Sequence, residues 1–224
     1  MRELLIGFIF LFPCLKLLAI SFDQAAEDII QAGIFLNKFG LCPATSGNFS
    51  RRLEDGLIAV TASGKHKGEL TSEDVLLVDF DANVKGSTKK PSDETLIHTA
   101  IYAINKDVGA ILHTHSLNGI VLSRLVNPHK TLVTRGYEIH KAFTGIKTHE
   151  SEIEIPIFEN TQDIGAMAKE ISQYLEEHSN IFGFLIRGHG FYAWGRDMKE
   201  AKIRVEAFEY LFESELKFLI ATRS

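Results

Sequence analysis

Residues 183–194 read GFLIRGHGFYAW. Two apolar runs, each rich in aromatic or branched side chains, flank Gly188-His189-Gly190. Such runs read as strands, and the glycines between them read as a tight turn. A link this short joins antiparallel neighbours, because a parallel pair needs a crossover of a dozen residues or more. VLLVDFDANVKG (75–86) repeats the pattern, as a strand, a turn near Asp81 and Asn83, and a short return strand. These links lie among segments of helical periodicity. The expected fold is therefore one α/β domain with a mixed, largely antiparallel central sheet flanked by helices.

Working outward, Ile29, Ala32 and Leu36 recur at helical spacing between Phe22 and Phe39, and Gly40 stands where helices prefer to end. LCPATSGNFS (41–50) is rich in turn formers and reads as a loop. LIAVTASG (57–64) reads as a strand that ends in a polar turn. Pro91, Ser92 and Asp93 open an amphipathic helix carrying Leu96, Ile97, Ala100, Ile101 and Ile104. VGAILHTH (108–115) is the next strand, and TLVTRG (131–136) and IEIPIFEN (153–160) are further short ones. Residues 163 to 178 read as a helix. Asp197 and Glu200 form a capping pair for a long final helix, with Val205, Phe208, Phe212, Leu216 and Leu219 inward. The stretch 116–150 reads as a long irregular connection, of the kind that often carries function.

The 224 residues, 45% of them hydrophobic, suit one domain or at most two. The net charge is −5, and no block of Lys and Arg resembles a nucleic-acid or membrane patch. A small anionic substrate needs only a local positive site. Cys14 and Cys42 make no CxxC pair, which fits a reducing compartment such as the cytoplasm. MRELLIGFIFLFPCLKLLAI (1–20) is apolar, but Pro13 and Lys16 interrupt it and no clear cleavage site follows. It reads as an N-terminal extension, best explained by a start assigned too far upstream, ahead of a catalytic domain at 21–224.

The strand 108–115 ends in His113-Thr114-His115. Side chains alternate along a strand, so the two imidazoles share a face within reach of one cation. An isolated HxH pair is equally well read as two hydrogen-bonded histidines. His189, displayed between two glycines after an apolar strand, tips the balance towards a metal. Three neutral imidazoles leave the fourth position of a tetrahedral zinc ion open, as in catalytic sites. A cupin would want a glutamate shortly after the pair and an all-β chain, and Leu117 replaces the aspartate of an HxHxD hydrolase. His66, His98, His129, His140, His149 and His178 read as solvated or structural.

SGNFS (46–50), TASG (61–64), KPSDE (90–94), HTHS (113–116) and RGHGFYAWG (187–195), in that order, resemble the class II aldolase/adducin family. The resemblance spans about residues 22 to 222. Within the family, RGYEIHKAF (135–143), IPIFENTQDI (155–164) and RGHGFYAWG resemble the branch that dehydrates 5-methylthioribulose 1-phosphate to a diketone in methionine salvage. The resemblance implies one zinc ion per subunit on His113, His115 and His189, a small phosphorylated ketose as substrate, and a homotetramer with the metal near a subunit interface. It implies no nucleic-acid or membrane partner.

By the same resemblance Glu138 is the acid/base, a part that suits a carboxyl whose pKa is raised towards neutrality. Glu94 matches the base of the family's sugar-phosphate aldolases and is expected first as a substrate-pocket residue. Asn48, Ser63, Gly64 and Ser92 are expected at the substrate, whose phosphate suits turn amides and helix starts. Lys65 and Lys67 read as solvated, Phe191, Tyr192 and Trp194 as sheet packing, and Cys42 as a packed thiol. A sugar-phosphate aldolase or epimerase is the alternative within the family, and an adducin-like scaffold without activity is the alternative outside catalysis.

Overall fold

The structure, a computed structural model, describes residues 20–54, 56–126 and 131–222. Most of the apolar N-terminal extension, with Cys14, and also His129 lie outside the described residues. The chain runs α1 (Phe22–Lys38), β1 (Asn48–Arg52), β2 (Ile58–Thr61), β3 (Val75–Val78), β4 (Val84–Lys85), α2 (Thr95–Ile104) and β5 (Ala110–Thr114). It continues with α3 (Leu117–Leu125), β6 (Leu132–Arg135), β7 (Glu152–Ile155), β8 (Ile157–Phe158), α4 (Ile164–Glu177), β9 (Gly183–Ile186), β10 (Gly190–Gly195) and α5 (Met198–Thr222).

Eight strands form one sheet in the order β4-β3-β2-β1-β5-β10-β9-β8, while β6 and β7 pair separately. Every pair in the large sheet is antiparallel except β8 with β9. The expected mixed, largely antiparallel sheet flanked by helices is therefore present. One core cluster packs α1 and α5 against Phe49, Ala59, Leu112, Leu185 and Phe191. The other packs α2 and α4 against Ile58, Val60, Ile111, Phe184 and Tyr192. Alternation along each strand divides these residues between the two faces. No helix among the described residues is long and apolar enough to cross a membrane.

Three elements differ from expectation. Asn48 to Ser50, read as the end of a loop, begin β1, which runs to Arg52 in the middle of the sheet between β2 and β5. Its side chains hide the strand because they are polar. The fold satisfies them internally, with Arg51 donating to the Gly109 carbonyl and Arg52 to the carbonyls of Tyr102 and Asn105. IEIPIFEN is two strands, since Pro156 lacks the N–H a ladder needs, and β7 pairs β6 while β8 pairs β9. Residues 117–125, read as irregular, form α3, whose start is capped by Ser116 accepting from Gly119 N. Asp197 caps α5 as its spacing predicts, Oδ1 accepting from Glu200 N at 2.8 Å, while the Glu200 carboxylate reaches one residue further back and accepts from Arg196 N at 2.8 Å.

Candidate active site

β5 and β10 lie side by side, with Tyr192 opposite His113. This brings the β9–β10 turn, and His189 on it, to the end of β5. Gly188 takes a φ of +67°, which favours glycine. Gly190 has a second reason: a Cβ there would run into the Thr114 carbonyl oxygen. The two glycines thus let the turn fold back over the strand end that carries the other two histidines.

The rings of His113 and His115 are 5.0 Å apart between centroids, those of His113 and His189 5.0 Å, and those of His115 and His189 4.7 Å. One nitrogen from each lies within 4.8 Å of the other two. His113 Nδ1 is 3.1 Å from the Phe191 carbonyl oxygen and donates to it. Its Nε2 is therefore left with a lone pair, and that atom is buried without a hydrogen-bond partner. A backbone carbonyl on the far nitrogen is the usual way a ligating imidazole is oriented. Burial, followed by the positive charge His189 and His115 would carry, holds His113 well below its ordinary pKa. Burial and then His189 push His115 down to about 4. His113 and His115 are thus neutral near pH 7, the form a metal requires.

Glu94 closes the cluster. Its carboxylate is 3.5 Å from both His113 Nε2 and His189 Nε2, and its Oε1 has no hydrogen-bond partner. Imidazole lone pairs and a carboxylate crowded together repel unless a cation or proton lies among them. The donor set and the unpartnered atoms therefore fit a divalent cation. Three imidazoles with one side open suit catalysis rather than a closed structural site.

A cavity of about 380 Å³ opens in front of His115 and His189. Asn48, Ser63, Gly64, Ser92 and Glu94, all expected from sequence, line it. Asn48 Nδ2 donates to Glu94 Oε2 at 2.6 Å, which orients the carboxylate. Lys67 also lines the cavity and is 1% exposed, so its reading as a solvated lysine is corrected. Its ammonium donates to the Thr45 and Lys65 carbonyls at 2.8 and 2.7 Å. It adds buried positive charge beside the Ser63-Gly64 turn. Lys65 faces outward to Asp74. Thr45, Asn160, Thr161 and Gln162 also line the cavity. Their place depends on how the 41–47 loop and the β8–α4 connection fold, which no spacing in the sequence shows.

Glu138 is elsewhere within the chain. It begins a 3₁₀ turn (Glu138–Ala142), its side chain is 69% exposed, and it is not among the residues lining the cavity. It pairs with Lys141 at 2.5 Å and His149 at 3.4 Å. The hydrogen bond from Lys141 lowers its pKa below the usual glutamate value, the opposite of the expected direction. His98, read as solvated or structural, is fully buried directly behind Asn48.

A family model described as "Class II Aldolase and Adducin N-terminal domain" matches residues 27–216. A methylthioribulose-1-phosphate dehydratase from Pseudomonas aeruginosa is 51% identical over 201 residues, which is 90% of this chain and 98% of the relative. One from Hahella chejuensis is 48% identical over 89% of this chain and 96% of the relative. Among solved structures, YgbL of Klebsiella pneumoniae, a putative aldolase/epimerase/decarboxylase, superposes with a TM-score of 0.75 at 25% identity, covering 92% of this chain and 93% of that one. L-Fuculose-1-phosphate aldolase of Thermus thermophilus gives 0.71 at 24% identity, with 89% and 96% covered, and shows the shared fold.

Proposed function

The chain belongs to the class II aldolase and adducin family, and from that premise we propose that it is a hydro-lyase acting on 5-methylthioribulose 1-phosphate. Its product is 2,3-diketo-5-methylthiopentyl 1-phosphate, an intermediate of methionine salvage. The observation that carries the reading is the convergence of three imidazoles beside a carboxylate, in a chain half identical to relatives of that name across nearly their whole length.

A zinc ion on His113, His115 and His189 would supply a Lewis acid for the substrate's C2 carbonyl and stabilise charge as C3 loses its proton. The residues around it divide the rest of the work. The Ser63-Gly64 turn, Ser92 at the start of α2 and the ammonium of Lys67 receive the phosphate. Asn48 holds Glu94, and Glu94 takes the C3 proton. The C3–H electron pair forms the C2–C3 double bond. The C2 oxygen then re-forms its carbonyl, the electrons move to C3–C4, and the C4–O bond breaks. Hydroxide leaves with a proton as water, and the remaining enol becomes the diketone.

Glu138 is the second carboxyl group of the proposal, delivering the proton to the leaving oxygen. Its separation from the cavity within one chain means that the assembled oligomer, proposed as a homotetramer, must bring it to a neighbouring subunit's cavity. That contact must also exchange its pairing with Lys141 for a less charged setting. A cytoplasmic location belongs to the same proposal, in keeping with the buried free thiol of Cys42.

Retro-aldol cleavage is the second reading, favoured by the position of Glu94 rather than Glu138 at the triad. It passes through the same kind of enediolate but reaches it differently. The base takes the C4 hydroxyl proton, C4 becomes an aldehyde, and the C3–C4 bonding pair forms the C2–C3 double bond while C3 keeps its hydrogen. One assay separates the two. Methylthioribulose 1-phosphate and fuculose 1-phosphate are offered in parallel, and diketone and aldehyde are followed separately. Diketone from the first with no aldehyde from either supports dehydration, and aldehyde release overturns it. A non-catalytic scaffold would give neither product and carry no stoichiometric metal.

A further inference from the structure

Behind the cavity wall four polar side chains stand in a row on the α2 face of the sheet. Asn48 Oδ1 is 2.5 Å from His98 Nε2, His98 Nδ1 is 2.7 Å from Ser50 Oγ, and Ser50 Oγ is 2.9 Å from the Tyr102 hydroxyl. At its front end the row meets Glu94, through the 2.6 Å bond from Asn48 Nδ2 to Oε2. None of the four is more than 3% exposed, so each polar atom depends on its neighbour.

The direction of every bond follows from the two ends. A carboxylate only accepts, so Asn48 turns its NH₂ to Glu94 and its carbonyl to His98. A carbonyl also only accepts, so His98 Nε2 carries a proton. Burial, then the charge His113 would carry, pushes His98 down to about 3, so the ring is neutral and Nδ1 holds a lone pair. Ser50 must donate to that lone pair, and its oxygen accepts from Tyr102. Reversing any one bond sets two acceptors against each other somewhere along the row, at Glu94 and Asn48, at Asn48 and His98, or at His98 and Ser50. All four protons therefore point towards Glu94.

We propose that His98 is a positioning residue: its Nε2–H tautomer, locked by Ser50 and Tyr102, turns the Asn48 amide so that Oε2 of Glu94 is held and Oε1 is left to meet the substrate. Glu94 Oε1, the oxygen without a hydrogen-bond partner, is the one beside His189. The inference rests on the proposed function only for what Oε1 does. The polarity of the row stands independently of the substrate.

The test reads the tautomer first. Long-range ¹H–¹⁵N correlation spectra of histidine-labelled protein should show His98 with a protonated Nε2 and a bare Nδ1. A bare Nε2, or an imidazolium, overturns the proposal. Kinetics come second. His98→Leu should lower kcat by roughly 10- to 100-fold, the usual cost of losing a partner behind an active-site group, with KM little changed. His98→Gln, whose amide can still donate to Asn48, should recover most of that loss. Both variants should bind divalent metal as the parent does, because the triad is untouched. A folded Gln variant as slow as the Leu variant overturns the positioning role. If the Leu variant does not fold, the parent spectrum and the Gln variant decide. If the parent turns over no methylthioribulose phosphate, the proposed function falls, while the spectrum still decides the tautomer.

Discussion

The two faces of the central sheet are built from different materials. Against α1 and α5 the contacts are largely hydrocarbon, with Arg51–Asp28 and Arg204 as polar exceptions: Phe191, Phe208 and Phe212 pack at 5.2–5.9 Å between centroids, all at most 1% exposed. Against α2 the same strands present His113, Tyr192 and Ser50 to His98 and Tyr102, with Tyr192 stacked on His113 at 4.2 Å. The first face contributes apolar burial, about 25 cal/mol per Å². The second gives up some of that burial to hold polar groups in fixed directions. Damage to the first should therefore appear as lost stability, and damage to the second as lost function in a protein that still folds.

Five experiments sharpen or break that contrast. His189→Ala should remove stoichiometric metal and lower turnover by at least ~10³-fold, the several kcal/mol a Lewis acid supplies. Its metal-free melting temperature should stay close to the parent's, because the ring lies in a surface turn. A large drop in melting temperature would mean that the histidine cluster is structural. Glu94→Gln should cost about 10²- to 10⁴-fold in kcat, the range for a lost acid/base group, with metal still bound. Glu138→Gln should be comparably slow only in the assembled oligomer. Co-refolding the two variants should then restore part of the rate, because mixed assemblies contain cavities with both carboxylates intact.

On the apolar face, Phe208→Ala should destabilise by about 3–5 kcal/mol in urea titrations, with kcat of the folded fraction unchanged. The polar face should instead show a pH signature in metal-stripped protein. His98 and His115 have folded pKa values depressed from 6.5 to about 3 and about 4. Below pH 6.5 the unfolded chain therefore takes up protons that the folded chain refuses. Stability should be fully present above pH 6.5 and decline as pH falls towards 4 and then 3. The increment lost in Phe208→Ala should stay constant through that window. Glu209, which burial pushes up to about 7, pulls the other way between pH 7 and 4.5. The His98 share is therefore read as the parent's pH slope minus that of His98→Leu, and equal slopes would show that the buried ring does not resist protonation.

Much of this is legible in the amino-acid sequence, for reasons particular residues make plain. His113 and His115 are readable because alternation along a strand is fixed by backbone geometry, and His189 because glycines on both sides mark a constrained turn. The five expected cavity residues come from motif order, which survives even where each motif is weak. β1 is not legible. Asn48 and Ser50 sit in a stretch of turn formers that looks like loop, and only the internal partners of β1's polar side chains make a central strand of it. Lys67 looks solvated because a lysine's surroundings are not encoded near it; carbonyls at Thr45 and Lys65 bury it.

By itself the sequence determined what is local or periodic: where α1, α2, α4 and α5 run, though not α3, which strands are joined by turns too short for a crossover, and which residue types could hold a metal. Tertiary structure alone decided which carboxylate borders the triad, and it set Glu94 there and Glu138 on an exposed turn. It also decided that His98, 50 residues from Asn48, stands behind it. The reason is physical. Periodicity follows from the backbone's own geometry, whereas a contact between distant residues exists only after burial has brought their elements together. A buried polar atom then accepts only the partner whose donor or acceptor it lacks.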